Sequence, residues 1–477
     1  MLLDIEQEDK SLIISYFNKK GVVDYKTYKF DEFRNWYITN ENDKWKAKNK
    51  RNWDGRPVKL GKARSLNKYS VYNFLDQLKP EDAELIFGYN FPKAYFVDIE
   101  VEVLDGFPHA DRAESRILTL SIITPDNKVI VLGLKDLSND EKVKIEENTN
   151  EYFADLNEEF GIKKWEFKYF KFDSEYDMIY TFLSKFVRKF PIMSGWNFIG
   201  FDWKYIVNRS KRLQIDASIA SPSGKLNGKD MLPLHVGIVD YMDLYANWDR
   251  TVKIKENNKL ETAANAVLKK SKIKYNGGLQ ELYDDDFQKY VYYNGVDSVL
   301  VYFIDKRLKT LQVALTLANI CKISMYKASS PVSITESYLS RYFLTMDKVL
   351  GKESGNGDFG SKKDGKFQGA FVKEPIRGLY RAVACFDYAS LYPSLMRMCN
   401  ISPDVLLEKI PASQVEAERK KGDKDKIITV NGCVYSTEKS ILKEVLTNLY
   451  AQRKEYKKEM FQHKMRVAEI KEMIKNK

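Results

Sequence analysis

A chain of 477 residues is long enough for about three domains at ~150 residues each, and 44% hydrophobic residues can fill sizeable cores. Lys and Arg exceed Asp and Glu by 11, which favours a polyanionic partner, nucleic acid ahead of an anionic membrane. No apolar run approaches the ~18 residues of a membrane span, and the acidic N-terminus excludes a signal peptide. The four cysteines form no CxxC pair and the three histidines are widely spaced, which argues against a zinc site and fits a reducing compartment. A soluble protein of the cytoplasm, with no membrane partner, is expected.

Residues 1–92 mix short alternating stretches with a basic tract, Lys44 to Arg64, that holds Trp45 and Trp53. Such a tract either grips a phosphate backbone and stacks on bases or is a solvated loop with two buried indoles. From Ala94 the texture is α/β. Ala94–Glu102, Ile117–Thr124, Val129–Leu132, Ile192–Trp196 and Val239–Leu244 have strand patterns. Glu175–Phe190, Asp202–Leu213 and Asp284–Leu308 have helical spacing, the last opened by three acids suited to a helix N-terminus. Apolar helix continues from 310 to about 335. A glycine-rich linker, Gly351 to Gly369, marks a domain boundary. Residues 412–426 are a charged insertion, and Ile441–Lys477 is one long helix without Pro or Gly.

Three acidic motifs occur in order. In Phe96-Val97-Asp98-Ile99-Glu100, residues two apart on a strand point the same way, so Asp98 and Glu100 project from one face while Val97, Ile99 and Val101 bury the other. Carboxylates so close repel unless a divalent cation sits between them; a solvent-facing acidic edge is the alternative. Asn197-Phe-Ile-Gly-Phe201-Asp202 supplies a second acid where a helix starts, a position that also suits a cap. Tyr293 and Asp297 stand at i and i+4 on one helix face.

The ordered motifs D-x-E, N-x-x-x-F-D and Y-x-x-x-D resemble those of the proofreading 3′→5′ exonuclease of family B DNA polymerases. That module has a ribonuclease H-like fold. The resemblance implies two Mg²⁺ ions, with Mn²⁺ as a substitute, because carboxylates are the natural ligands of hard cations. It implies that Asp98, Glu100 and Asp297 hold the first ion, that Asp98 also touches the second, and that Asp202 orients the second ion's shell. Tyr293 orients the attacking water. Lys272 falls where phage enzymes carry a lysine near the scissile phosphate, with Lys270 and Lys274 as alternatives by a small register slip.

Farther on, apolar residues lead into a single acid in Ala384-Cys-Phe-Asp387-Tyr388-Ala-Ser390-Leu391-Tyr392-Pro393-Ser394, a pattern of a strand stopped by Pro393. Asp387 to Ser394 resembles the first palm motif of family B polymerases, D-x-x-S-L-Y-P-S, and Gly369 to Pro375 resembles the entry to the palm in phage-type members. By that resemblance Asp387 binds both polymerase Mg²⁺ ions, helped by the carbonyl of Tyr388. Ser390 and Leu391 offer N–H groups to a deoxynucleoside triphosphate, and Tyr392 excludes a 2′-hydroxyl. Arg453 and Lys457, four apart, resemble the phosphate-contacting pair of the first fingers helix, although solvated helix charge is the bland alternative for Lys457.

A second fingers helix (K-x-x-x-N-S-x-Y-G), the palm hairpin Y-x-D-T-D-S and a thumb are not found after Asp387. Asp423-Lys-Asp425 imitates the hairpin but is expected in a loop without flanking strands. The resemblance is thus to the N-terminal half of a T-even-phage-type family B polymerase, of mixed α/β and α+β multidomain class. The expected layout is a discontinuous N-terminal domain at 1–92 and 310–358, an inserted exonuclease domain at 93–309, a partial palm at 359–440 and a truncated fingers helix at 441–477. The expected partners are primer-template and single-stranded DNA, deoxynucleoside triphosphates and a C-terminal polymerase subunit. Either the gene is split and a second chain completes a heterodimer, or the sequence is a truncated piece; the split is favoured. Rival readings are a stand-alone exonuclease and a nucleic-acid-binding regulator without catalysis.

Overall fold

The computed structural model describes residues 1–38, 57–62, 71, 74–104, 106, 108–228, 230–249, 252, 256–346 and 373–475. The basic tract with Trp45 and Trp53 lies almost wholly outside the described residues, as does the glycine-rich linker. The chain divides into two compact units, Met1–Asn35 with Leu60–Leu344, and Trp36–Lys59 with Thr345–Lys477.

The first unit opens with an antiparallel sheet of β1 (Leu2–Glu8), β2 (Ser11–Phe17) and β3 (Val23–Lys29), in that order. Leu12, Ile14, Phe74 and Ile86 pack in its core, under the helix Pro80–Phe87. β4 (Arg34–Ile38) and β5 (Val58–Lys62) form a separate pair.

The centre of the first unit is a six-stranded mixed sheet. Its strands are β6 (Ala94–Val101), β7 (Ile117–Ile123), β8 (Lys128–Gly133), β9 (Glu166–Lys171), β10 (Ile192–Gly195) and β13 (Gly237–Asp240), in the order β13-β10-β6-β7-β8-β9. A small hairpin, β11 (Leu226–Asn227) with β12 (Leu232–Pro233), precedes β13. All seven residues of β7 are buried because helices cover both faces. One core joins Val97, Ile99, Leu120 and Ile122 to Met178, Phe182 and Trp203; the other joins Phe96, Ile123 and Val131 to Val296, Leu300 and Phe303 of the helix Phe287–Leu308. Below the sheet, His235 on the first unit's β12–β13 connection links it to the N-terminal sheet, through Ser15 Oγ at 2.8 Å and Glu6 Oε2 at 2.7 Å.

Several element boundaries differ from the sequence expectation. The helix expected over Glu175–Phe190 is an α-helix only over Glu175–Thr181, continuing as a π-turn, Phe182–Phe186, and a 3₁₀ turn, Val187–Lys189. The expected strand Val239–Leu244 ends at Asp240, whose carboxylate accepts from Met242 N–H at 3.0 Å and starts the helix Tyr241–Trp248. The long helix begins at Phe287, because Asp286 caps it by accepting from Lys289 N–H at 3.0 Å; Asp284 and Asp285 close the preceding helix Leu279–Asp285. The helix expected at Asp202 is entered through a π-turn, Ile199–Trp203, before the α-helix Lys204–Arg212. The apolar helical stretch after 310 is two helices, Thr310–Cys321 and Pro331–Thr345, parted at Lys322 in the left-handed region.

In the second unit β14 (Leu406–Lys409), β15 (Lys426–Ile428) and β16 (Cys433–Ser436) form a sheet in the order β14-β16-β15. Asp423–Asp425 lies in a loop, as expected, but β15 begins directly after it, so the loop does have a flanking strand. Gly432, at φ +83°, closes the turn into β16, and an added Cβ would lie 2.1 Å from Ile410 O, so the register depends on that glycine. The helix Ile441–Lys475 leaves this sheet and is exposed from Ala451 onward. No helix among the described residues is long and apolar enough to cross a membrane.

Candidate active site

A cleft of about 600 Å³ opens where β6, the π-turn Ile199–Trp203 and the helix Phe287–Leu308 meet. The alternation of β6 buries Val97, Ile99 and Val101 and leaves Asp98 and Glu100 half-buried, both turned to the cleft. The long helix brings Asp297 from the other side, fully buried, with Tyr293 one turn earlier on the same face. Carboxylate oxygens of Asp98, Glu100 and Asp297 lie within 4.8 Å of one another.

Asp202 lines the same cleft and its Oδ1 accepts from Ile99 N–H at 3.0 Å, so it is tied to the strand that carries the pair. Close approach makes this possible. A Cβ on Gly195 would lie 2.3 Å from Val97 O, and one on Gly200 would lie 2.4 Å from Asn197 Oδ1. Of the three lysine candidates, Lys272 reaches the cleft. Its Nζ is 2.6 Å from Asp297 Oδ2 and 5.0 Å from the Tyr293 ring centre. Lys270 turns instead to Asp155 at 2.7 Å, and Lys274 is exposed.

The electrostatics are those of crowded acids. Burial, then the charge of Asp297, pushes the Asp98 carboxyl up to about 7, against the pull of Lys272. Glu100 rises well above the usual range through burial and then Asp98 and Asp297; Asp202 rises through burial and then Asp98. Burial raises Asp297 as well, opposed by Lys272. Burial works against the Lys272 ammonium, but Asp297 and Tyr293 outweigh it and hold the amine protonated. Tyr293, raised by burial and then by Asp297 and Glu100, keeps its hydroxyl proton.

The donor set fits a hard divalent cation. It consists of carboxylate oxygens, and Asp297 Oδ1 is buried without a hydrogen-bond partner.

Five contributors escape the motif reading. Asn294 donates from Nδ2 to Asp98 Oδ2 at 2.8 Å, and Ser121 Oγ donates to its carbonyl at 3.1 Å. Asp240 accepts from Ile199 N–H at 2.9 Å and so anchors the π-turn. Glu261 accepts from Lys272 N–H at 2.6 Å, and Tyr275 packs edge-on against Tyr293 at 5.3 Å. Only Asn294 carries a sequence signal, because it sits three residues before Asp297 on the same helix.

The second unit holds the other sequence candidates. Ala384–Tyr388 forms no strand: Asp387 and Tyr388 are exposed, and Phe386 is 93% exposed. A strand needs a neighbour to hydrogen-bond, and the described residues pair none with this stretch. Pro393 therefore stops no strand. It sits in the first turn of the helix Leu391–Met398, where a missing N–H costs nothing. Ser390 precedes that helix at φ +53°, and Leu391 and Tyr392 lie exposed in its first turn. Arg453 and Lys457 are exposed on one face of the helix Ile441–Lys475.

Known proteins resemble two stretches of this chain. The profile of the DNA polymerase family B exonuclease domain matches residues 50–262, and that of DNA polymerase family B matches residues 333–476. The chain is 29% identical over 324 residues to the DNA-directed DNA polymerase of Enterobacteria phage T4, covering 64% of this chain and 35% of that one. It is 28% identical over 405 residues to the DNA-directed DNA polymerase of Escherichia phage RB69, covering 80% and 43%. DNA polymerase 1 of Saccharolobus solfataricus is 26% identical over 345 residues, covering 66% and 36%. The chain thus spans less than half the length of these relatives. With both profiles matched in chain order, the chain carries exonuclease and polymerase domains of the DNA polymerase family B type.

Proposed function

We propose that the first unit is a 3′→5′ proofreading exonuclease of ribonuclease H-like fold, acting on single-stranded DNA ends. The observation that carries this reading is the convergence of Asp98, Glu100 and Asp297 within 4.8 Å, in a cleft that also holds Asp202, Tyr293 and Lys272. Asp98, Glu100 and Asp297 would hold one Mg²⁺, and Asp98 with Asp202 would serve a second; Mn²⁺ would substitute. When bound, the ions supply an activated water and relieve charge on the leaving 3′ oxygen. Tyr293, held protonated, orients the attacking water through its hydroxyl. Lys272 offers its ammonium to the scissile phosphate.

We further propose that the second unit is half of a polymerase site. Asp387 is its first metal acid, with the carbonyl of Tyr388 beside it. Ser390 and Leu391 meet the triphosphate through N–H groups, Tyr392 rejects a 2′-hydroxyl, and Arg453 and Lys457 contact phosphates. A C-terminal partner subunit supplies the remaining palm, fingers and thumb, which makes this chain one member of a split heterodimeric replicative polymerase. The exposed apolar run through Leu379, Val383 and Phe386 supports that reading, because such a run gains most from pairing with another palm element. The test is direct: the chain alone with Mg²⁺ shortens a 5′-labelled single strand from its 3′ end but does not extend a primer. Absence of digestion by a folded chain refutes the exonuclease, and unaided primer extension refutes the partner.

A further inference from the structure

The Lys272 ammonium has a position that phosphate binding alone does not require. It contacts the most deeply buried of the three clustered acids, Asp297 Oδ2, at 2.6 Å. Its backbone N–H is held by Glu261 at 2.6 Å, and its side chain lies against the Tyr293 ring. The lysine is therefore aimed into the cluster from a fixed loop. Asp297 Oδ1, its other oxygen, stays buried and unpartnered and remains open to a second cation.

Three carboxylates within 4.8 Å repel one another strongly when no divalent ion is present. Among the described residues, Lys272 is the cation that makes an ion pair with any of the three. We propose that Lys272 is the resident counter-cation of this cluster: it holds the acids together in the metal-free chain and weakens divalent-ion binding by placing a like charge beside the incoming ion. This rests on the metal-site reading above and extends it, because the same ammonium then tunes how readily the site loads. A site kept weak in this way loads fully only when a DNA phosphate enters the cleft and draws the lysine to itself, which couples metal occupancy to substrate.

The probe is Mn²⁺ alone, titrated into the full chain without DNA and followed by the loss of the free-ion paramagnetic resonance signal. Thermal melting in chelator gives a second readout. Lys272→Gln is expected to bind Mn²⁺ at least tenfold more tightly than the unaltered chain and to melt lower in chelator, with the deficit removed by Mn²⁺. Lys272→Arg keeps the charge and is expected to restore weak binding. Equal or weaker Mn²⁺ affinity in Lys272→Gln, with the unaltered chain binding, overturns the counter-cation inference and leaves the metal site standing. A folded, unaltered chain that binds no Mn²⁺ overturns the metal-site reading and the inference with it.

Discussion

Asn294 and Asp98, 196 positions apart, meet through one hydrogen bond of 2.8 Å from the carboxamide nitrogen to Oδ2. The asparagine is fully buried, and its backbone carbonyl is fixed by Ser121 Oγ, so its side chain has little freedom. The bond turns one Asp98 oxygen toward the helix and leaves the other for the cleft. Groups that orient a metal-holding carboxylate commonly contribute 10- to 100-fold to affinity or activity. Asn294→Ala should therefore lower single-strand digestion by roughly that factor. Mg²⁺ titration separates the cause: the half-saturating Mg²⁺ should rise while the melting temperature falls little.

Removing the acids should separate catalysis from folding. Asp98→Ala combined with Glu100→Ala should abolish exonuclease activity and leave the circular dichroism spectrum unchanged. Without metal, the double variant loses a repulsive pair and should melt at or above the parent in chelator. Retained digestion would reassign the metal ligands.

Asp305, on the far part of the same helix, offers a pH test away from the cleft. Burial pushes its carboxyl up to about 6, partly offset by the Leu311 N–H it accepts at 3.2 Å. A carboxyl raised in the folded state contributes stability at low pH that fades as pH climbs through about 6. Asn at 305 keeps an acceptor for Leu311 and cannot ionise. Asp305→Asn should flatten the stability profile between pH ~4 and ~6, and at pH 7 should be the more stable chain by at most about 3 kcal/mol. Urea melts across that range measure it.

Gly195→Ala tests the close approach of β10 and β6. The new methyl would meet Val97 O at 2.3 Å, and backbone on both strands must move. A cost of about 2 kcal/mol or more is expected, with reduced digestion because β6 carries Asp98 and Glu100. A melting temperature equal to the parent's would refute the crowding argument.

The exposed palm stretch predicts a change on assembly. Amides between Leu379 and Tyr388 should exchange within seconds in the chain alone, because they form no ladder. Added C-terminal polymerase half should protect them and bring primer extension with it. Protection without extension would separate docking from a completed site.

Much of the candidate active site was legible in the order of the residues. Period-two alternation across Val97 to Val101 foretold that Asp98 and Glu100 share a face, and the i, i+4 spacing put Tyr293 beside Asp297; both patterns follow from backbone geometry alone. The family was legible for the same reason, since its motifs are short and local. Folding in three dimensions chose among the lysines, because only the loop held by Glu261 aims Lys272 at Asp297. It recruited Asn294 and Asp240, whose partners lie far off in sequence. It also left Ala384–Tyr388 unpaired, against its strand-like composition, because a strand is defined by the neighbour that accepts its hydrogen bonds and no local pattern supplies one.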